Sequence, residues 1–274
     1  MADKVKVLTV DGLAYYHTKV KKAIEDSEAR YTNDEPIVTQ LGGIKVGETF
    51  DNVPVAEMLT KLLYPYTVPT INTMTATATG GVFEKGTSVS VTAMSVIVGK
   101  KSSKLAKVEF LKAGTVVDTI TAGLPTTGTA TIRSTQALTI NTDTTLSAKV
   151  YDSEATAGTA STNGPTYKFV DPYFYGAVQS GVEITSAVIT GLNKRIENKG
   201  NKAYTYKYDD SVAVIAYPKS YGKLSKITDP NGFDITGTFG VTEMTLTVKS
   251  GDVAYYVYTN DPSSVPDFKI TFAY

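Results

Sequence analysis

Enzyme chemistry needs side chains that move protons, attack electrophiles or hold metals, and this chain offers few in usable combinations. His17 is its single histidine, and it has no cysteine. A histidine base, a nucleophile–histidine pair and a multi-histidine metal site would all rest on that one residue. Thiolate catalysis, disulfides and cysteine-held zinc are excluded outright. His17 lies in a predicted helix, where a structural role is expected. Glycoside hydrolysis would need two carboxylates roughly 5–10 Å apart. The adjacent pairs Asp34/Glu35 and Asp209/Asp210 fall in predicted turns, where carboxylates are solvated. Gly42-Gly43 lacks the Lys-Ser/Thr of a phosphate loop and reads as a turn. Asp229-Pro230-Asn231-Gly232-Phe233 lacks the later acidic ligand of a calcium loop. The expectation is a protein that is not an enzyme and has no catalytic, cofactor or metal residues.

What remains is aromatic chemistry, from 18 tyrosines and no tryptophan. Tyrosine combines a large apolar body with a hydrogen-bonding tip, which suits cores and interfaces alike. Tyr204, Tyr206 and Tyr208 alternate, so they line one face of a strand. Such a row builds a tyrosine-rich sheet core or edge, or it forms a contact face for a second subunit or a glycan. These three residues are the candidate aromatic contact face.

Balanced charge, 27 basic against 27 acidic residues, lacks the basic excess expected of a nucleic-acid or membrane-surface binder. No apolar run approaches the ~18–20 residues of a membrane helix. Met1-Ala2-Asp3-Lys4-Val5 opens without the apolar core of a secretory signal. Synthesis and folding in a cytoplasm are expected.

A length of 274 residues suggests two or three modules. Residues 1–67 read as a helical attachment and oligomerisation region. Within 1–31, Leu13, Tyr16, Val20 and Ile24 recur at helical spacing and make a narrow apolar stripe. They are the candidate seam, packing either on their own chain or on a partner. A second helix is predicted over 54–63, with Val55, Met58, Leu59 and Leu62 as its buried face and Pro65 as its stop. Residues 68–170 carry period-two runs such as Val89–Ala93, Lys107–Leu111 and Leu146–Val150, which predicts an immunoglobulin-like β-sandwich. Residues 153–165 are small and polar and read as a loop or linker. Residues 171–274 predict a helix through Val188, Leu192 and Ile196, then an antiparallel β-sandwich of seven strands. The fold class is mainly β, with a short helical region leading into two sandwiches.

Three segments carry a resemblance. Leu8-Thr9-Val10-Asp11-Gly12-Leu13-Ala14-Tyr15-Tyr16 resembles the opening of phage fibre and tail-associated proteins. Gly42-Gly43-Ile44-Lys45-Val46-Gly47-Glu48-Thr49-Phe50, leading to Leu62-Leu63-Tyr64-Pro65-Tyr66, is similar to a virion-protein segment in phages of gut bacteria. Tyr217-Pro218-Lys219-Ser220-Tyr221-Gly222-Lys223-Leu224, Asp229-Pro230-Asn231-Gly232-Phe233-Asp234 and the ending Phe268-Lys269-Ile270-Thr271-Phe272-Ala273-Tyr274 resemble the C-terminal module of the same proteins. The resemblance implies a structural bacteriophage component of the head-fibre or tail-fibre-like type, located in the virion, with no catalytic residues to carry over. Its implied partners are itself, as a homotrimer first and a dimer second, and other virion proteins such as capsid or tail components. The alternative is a tail-associated adhesin that binds a host receptor or surface glycan.

Overall fold

Period-two alternation builds most of this chain. The computed structural model describes residues 14–15, 17–20, 22, 30–39, 43–153, 159–206, 211–260 and 268–273. The described residues between 14 and 22 are helical. The predicted helix over 1–31 does not reach its end, because Arg30–Asn33 is a strand, β1. It pairs antiparallel with β2 (Phe50–Pro54), with Tyr31 opposite Val53. The Tyr31 ring meets Phe50 edge-on at 6.1 Å, a contact that extended backbone permits and a continuing helix would not. Helix α1 (Val55–Leu63) follows β2 directly.

Eleven strands form the next layers: β3 (Thr70–Ile71), β4 (Thr75–Ala76), β5 (Gly81–Glu84), β6 (Val89–Val91), β7 (Met94–Gly99), β8 (Leu105–Lys112), β9 (Thr115–Ile120), β10 (Thr129–Ser134), β11 (Leu138–Ile140), β12 (Thr144–Asp152) and β13 (Thr159–Val170). One sheet runs β5-β13-β12-β8-β9, with β5 parallel to β13. Opposite it, β7 pairs with β10, β3 and β4, and β6 pairs with β11. Val96, Val98, Val108, Phe110, Leu146 and Val150 meet between the layers in one buried core. Two largely antiparallel layers around one core, the second made of the β7 sheet and the β6-β11 pair, make this an immunoglobulin-like sandwich. In β12 the alternation is complete, buried at every second residue from Thr144 to Asp152. The linker expected over 153–165 is overturned from Thr159 onward, where the longest strand begins. Its small residues are there for packing: a Cβ on Gly164 would lie 3.0 Å from the Met74 side chain.

The last module contains β14 (Tyr173–Gln179), α2 (Ser186–Thr190), β15 (Asn193–Arg195), β16 (Lys202–Tyr206), β17 (Ser211–Pro218), β18 (Lys226–Thr228), β19 (Gly240–Val248), β20 (Gly251–Asn260) and β21 (Phe268–Ala273). The predicted helix through Val188, Leu192 and Ile196 is shorter than expected. Thr185 caps it by accepting from the Val188 N–H, and it ends at Gly191. A five-stranded sheet, β15-β14-β17-β20-β19, packs on a three-stranded one, β16-β21-β18. Central strand β17 reads Val-Ala-Val-Ile-Ala-Tyr without polar alternation because both of its faces are covered. Ala213, Ile215 and Tyr217 face the small sheet, while Val214 and Ala216 join Ile189 of α2 on the other side.

The two sandwiches touch turn to turn. Lys194 donates to both carboxylate oxygens of Glu84 at 3.1 Å, and Lys249 reaches the same carboxylate at 3.1 Å. Lys85 pairs with Asp171 at 3.7 Å, and the Ser250 hydroxyl donates to Asp171. Gly86, at φ +87°, lies so close that a Cβ there would sit 2.3 Å from the Lys249 carbonyl oxygen.

Candidate assembly surface

The described residues before the sandwiches bury few side chains. Between residues 30 and 68, Ile44 and Phe50 are the buried apolar side chains among the described residues. Phe50 is held by Tyr31 and by the Lys61 ammonium, 5.9 Å from its ring centre. Lys61 bonds Glu48 at 2.7 Å, and the Lys45 N–H donates to the other oxygen of Glu48 at 3.1 Å. Lys61 first, then that N–H, hold the Glu48 carboxyl below its ordinary pKa. The Gly43 N–H donates to the Lys61 carbonyl at 2.9 Å and straps this loop to the end of α1. Between loop and helix lies an open cleft of about 610 Å³, lined by Lys45, Val46, Glu48, Lys61, Tyr64 and Tyr66 among others.

Helix α1 departs from expectation. Its predicted face of Val55, Met58, Leu59 and Leu62 is not buried: no residue of the helix is, and Leu59 is 45% exposed. Val55, Met58 and Leu62 turn partly inward. Leu63 and Tyr64 stand out at 66% and 76% exposure. Nine of the fourteen exposed large apolar side chains among the described residues lie between Tyr15 and Val68. That stretch is a small part of the chain, so the apolar surface is concentrated at one end. The stretch is tied to the rest through Tyr66, whose hydroxyl donates to Asp152 at 2.6 Å, and through Thr67, whose N–H donates to the Ser102 hydroxyl at 2.7 Å.

Of the candidate seam residues, Val20 is 41% exposed on the opening helix; Leu13, Tyr16 and Ile24 lie outside the described residues. His17 is exposed on the same helix. The candidate aromatic face is a correction. Tyr204 and Tyr206 are 6% and 2% exposed and point into the core between the C-terminal sheets. Tyr204 stacks on Tyr175 at 4.0 Å, and Tyr206 meets the same ring edge-on at 6.1 Å. The small sheet buries the face that alternation correctly assigns to these rings. Burial, and then the charge of Glu197, push the Tyr204 hydroxyl far above its ordinary pKa. Tyr208 lies outside the described residues. No ligand reaches Tyr204 and Tyr206 while the sheets stay packed.

The carboxylates that burial could perturb already have partners. Glu109 pairs with Lys107 and accepts from the Tyr151 hydroxyl at 2.8 Å; those contacts lower its pKa, Lys107 first. Glu84 binds two lysines, and Asp152 takes Tyr66. Asp34 and Glu35 are exposed, and Asp209 and Asp210 lie outside the described residues. Among the described residues no three His, Asp or Glu side chains gather as a metal site would require.

No family model matches the chain, and no curated protein does. Among solved structures it is similar to the fibronectin(III)-like modules of Clostridium thermocellum CbhA. That match is 18% identical over 75% of this chain and 85% of that chain, with a TM-score of 0.21. An overlay that loose carries no argument, and the sandwich assignment stands on the strand pairing itself.

Proposed function

We propose that this chain is a non-enzymatic structural component of a bacteriophage virion, a head fibre or similar appended protein. In this reading residues 1–67 attach it to the particle and to other copies, and the two sandwiches are the part displayed. The observation that carries the reading is the uneven distribution along the chain: among the described residues most exposed large apolar side chains lie between Tyr15 and Val68, while the sandwiches close their own cores. Exposed apolar groups gathered in one place mark an interaction surface, whereas the same groups scattered singly need no explanation. Tyr64, Leu63 and Leu59 are the large, projecting side chains that anchor interfaces when a partner dries them. The resemblance of the opening, junction and closing segments to phage fibre proteins supports the same assignment. The clasp at Glu84 supports it too, since displayed modules that are locked together project farther than modules on a loose hinge.

The test uses antibodies against the paired sandwiches on particles purified from cells that make this chain, with mass spectrometry of the same particles. Labelling at a fixed place on the particle, with a constant copy number per virion, is the expected result. Particles that lack the chain, or a purified chain that releases reducing ends from host glycan, would overturn the proposal.

A further inference from the structure

We propose that Asn231 is a self-modifying site: the backbone nitrogen of Gly232 attacks the Asn231 side-chain amide, which is lost as ammonia and leaves a carboxyl in its place. The proposal is independent of the assembly reading above.

The chain has two Asn-Gly steps, Asn163-Gly164 and Asn231-Gly232. Glycine is the residue after asparagine that least obstructs this reaction. No side chain shields its nitrogen, and its backbone takes up the bent shapes that ring closure needs. Composition ranks the two steps equal, and the fold separates them. Asn163 lies within the longest strand, opposite Ser147 of β12. A Cβ on Gly164 would lie 3.0 Å from the Met74 side chain, and one on Gly80 would lie 2.6 Å from the Thr166 carbonyl oxygen, so the backbone here is closely packed. Bending it means pulling β13 off β12 and off the core beneath, a costly local opening.

Asn231-Gly232 is in the opposite condition. Both residues are exposed, and a Cβ built on Gly232, at φ +86°, would meet open space. Asp229 holds both reacting groups. Its carbonyl accepts the Gly232 N–H at 3.0 Å, and its carboxylate accepts the Asn231 N–H at 2.9 Å. The other carboxylate oxygen lies 3.5 Å from the Asn231 amide nitrogen. The Gly232 nitrogen must leave the Asp229 carbonyl before it attacks. That is one hydrogen bond at the surface, which water can replace.

The step balances without oxidant or metal. Water takes the proton from the Gly232 nitrogen, that nitrogen bonds to Cγ of Asn231, and the Cγ–Nδ2 bond breaks as ammonia leaves with a proton. Water then opens the five-membered imide at either carbonyl. One opening gives aspartate at position 231; the other gives isoaspartate, whose main chain is longer by a methylene. Both set a new carboxylate beside those of Asp229 and Asp234, which already tie this turn together. Isoaspartate also lengthens the span that the Asp229 N–H closes on the Phe233 carbonyl at 3.0 Å.

The chain's formal net charge is zero and its pI about 6.6, so each event is visible as an acidic shift. The full chain is aged in mildly alkaline buffer and followed by isoelectric focusing and peptide mass spectrometry. Asn231 should convert at least about tenfold faster than Asn163, giving both aspartate and isoaspartate. In guanidinium the two steps should convert at similar rates. Hydroxylamine, which cleaves the imide, should release residues 232–274 from the folded chain and cut after Asn163 only once the chain is unfolded. Asn231→Gln, whose longer side chain closes the ring poorly, should abolish the early acidic shift, with circular dichroism confirming that the sandwiches remain folded. Equal rates at the two steps in the folded chain would overturn the proposal. So would conversion at Asn231 only in guanidinium, or an early acidic shift that survives Asn231→Gln.

Discussion

The buried tyrosines of the C-terminal sandwich make alkali the sharpest probe of its packing. Burial first raises the hydroxyls of Tyr204, Tyr217 and Tyr255 far above the ordinary value of 10.0. Below pH 10 the folded and unfolded chains both keep these protons, and pH has no leverage. Above it the unfolded chain releases them and the folded chain does not, so stability falls as pH rises. Each such group removes about 1.4 kcal/mol per pH unit. Three together remove about 4 kcal/mol per unit, so two units remove ~8 kcal/mol, as much as the whole stability of many domains. In the immunoglobulin-like sandwich the raised hydroxyls are Tyr167, by burial, and Tyr151, chiefly by its bond to Glu109. The C-terminal sandwich should therefore unfold first. Tyrosinate absorbance after a pH jump should show a fast exposed fraction and a slow fraction that appears only as near-ultraviolet circular dichroism collapses. Limited proteolysis at that point should spare a fragment around residues 70–170. Smooth titration of every tyrosine near pH 10 with the dichroism unchanged would refute the burial argument.

Three further outcomes follow from the contacts between segments. Glu84→Ala removes both lysine pairs from the clasp, and because Lys194 and Lys249 are 41% and 56% exposed, solvent screens the loss. We expect roughly 1–2 kcal/mol, shrinking in 1 M salt, read by thermal unfolding; a loss that salt does not change would mean packing and not charge. Gly86→Ala should cost more, about 3 kcal/mol, because it adds strain at positive φ to a clash with the Lys249 backbone, and calorimetry should then separate the two sandwiches into distinct transitions. Tyr66→Phe removes a hydrogen bond to a carboxylate worth about 1.5–3 kcal/mol; faster cleavage near residues 64–70 by a soluble protease checks it, and unchanged cleavage would show that Thr67 and Ser102 suffice as the tether.

What could be read in advance was set by periodicity, and what could not was set by what covers each face. Strands β8 and β12 lie where alternating apolar residues put them, because period two follows from the pleat alone. Strand β13 was unreadable, since Thr159 to Gly164 look like a linker until Met74 and β12 supply the surface that wants small residues. Tyr204 and Tyr206 share a face as their spacing requires, yet only the paired sheet decides that the face is a core. Helix α1 is the converse case. Its period-3.6 stripe selected Val55, Met58, Leu59 and Leu62 as one buried face, but the described residues bury none of them. Leu59 itself stays exposed, as does Leu63 one turn on. Which apolar side chains of α1 stay exposed is thus set by what the described residues place over them, and the helical stripe alone does not decide it.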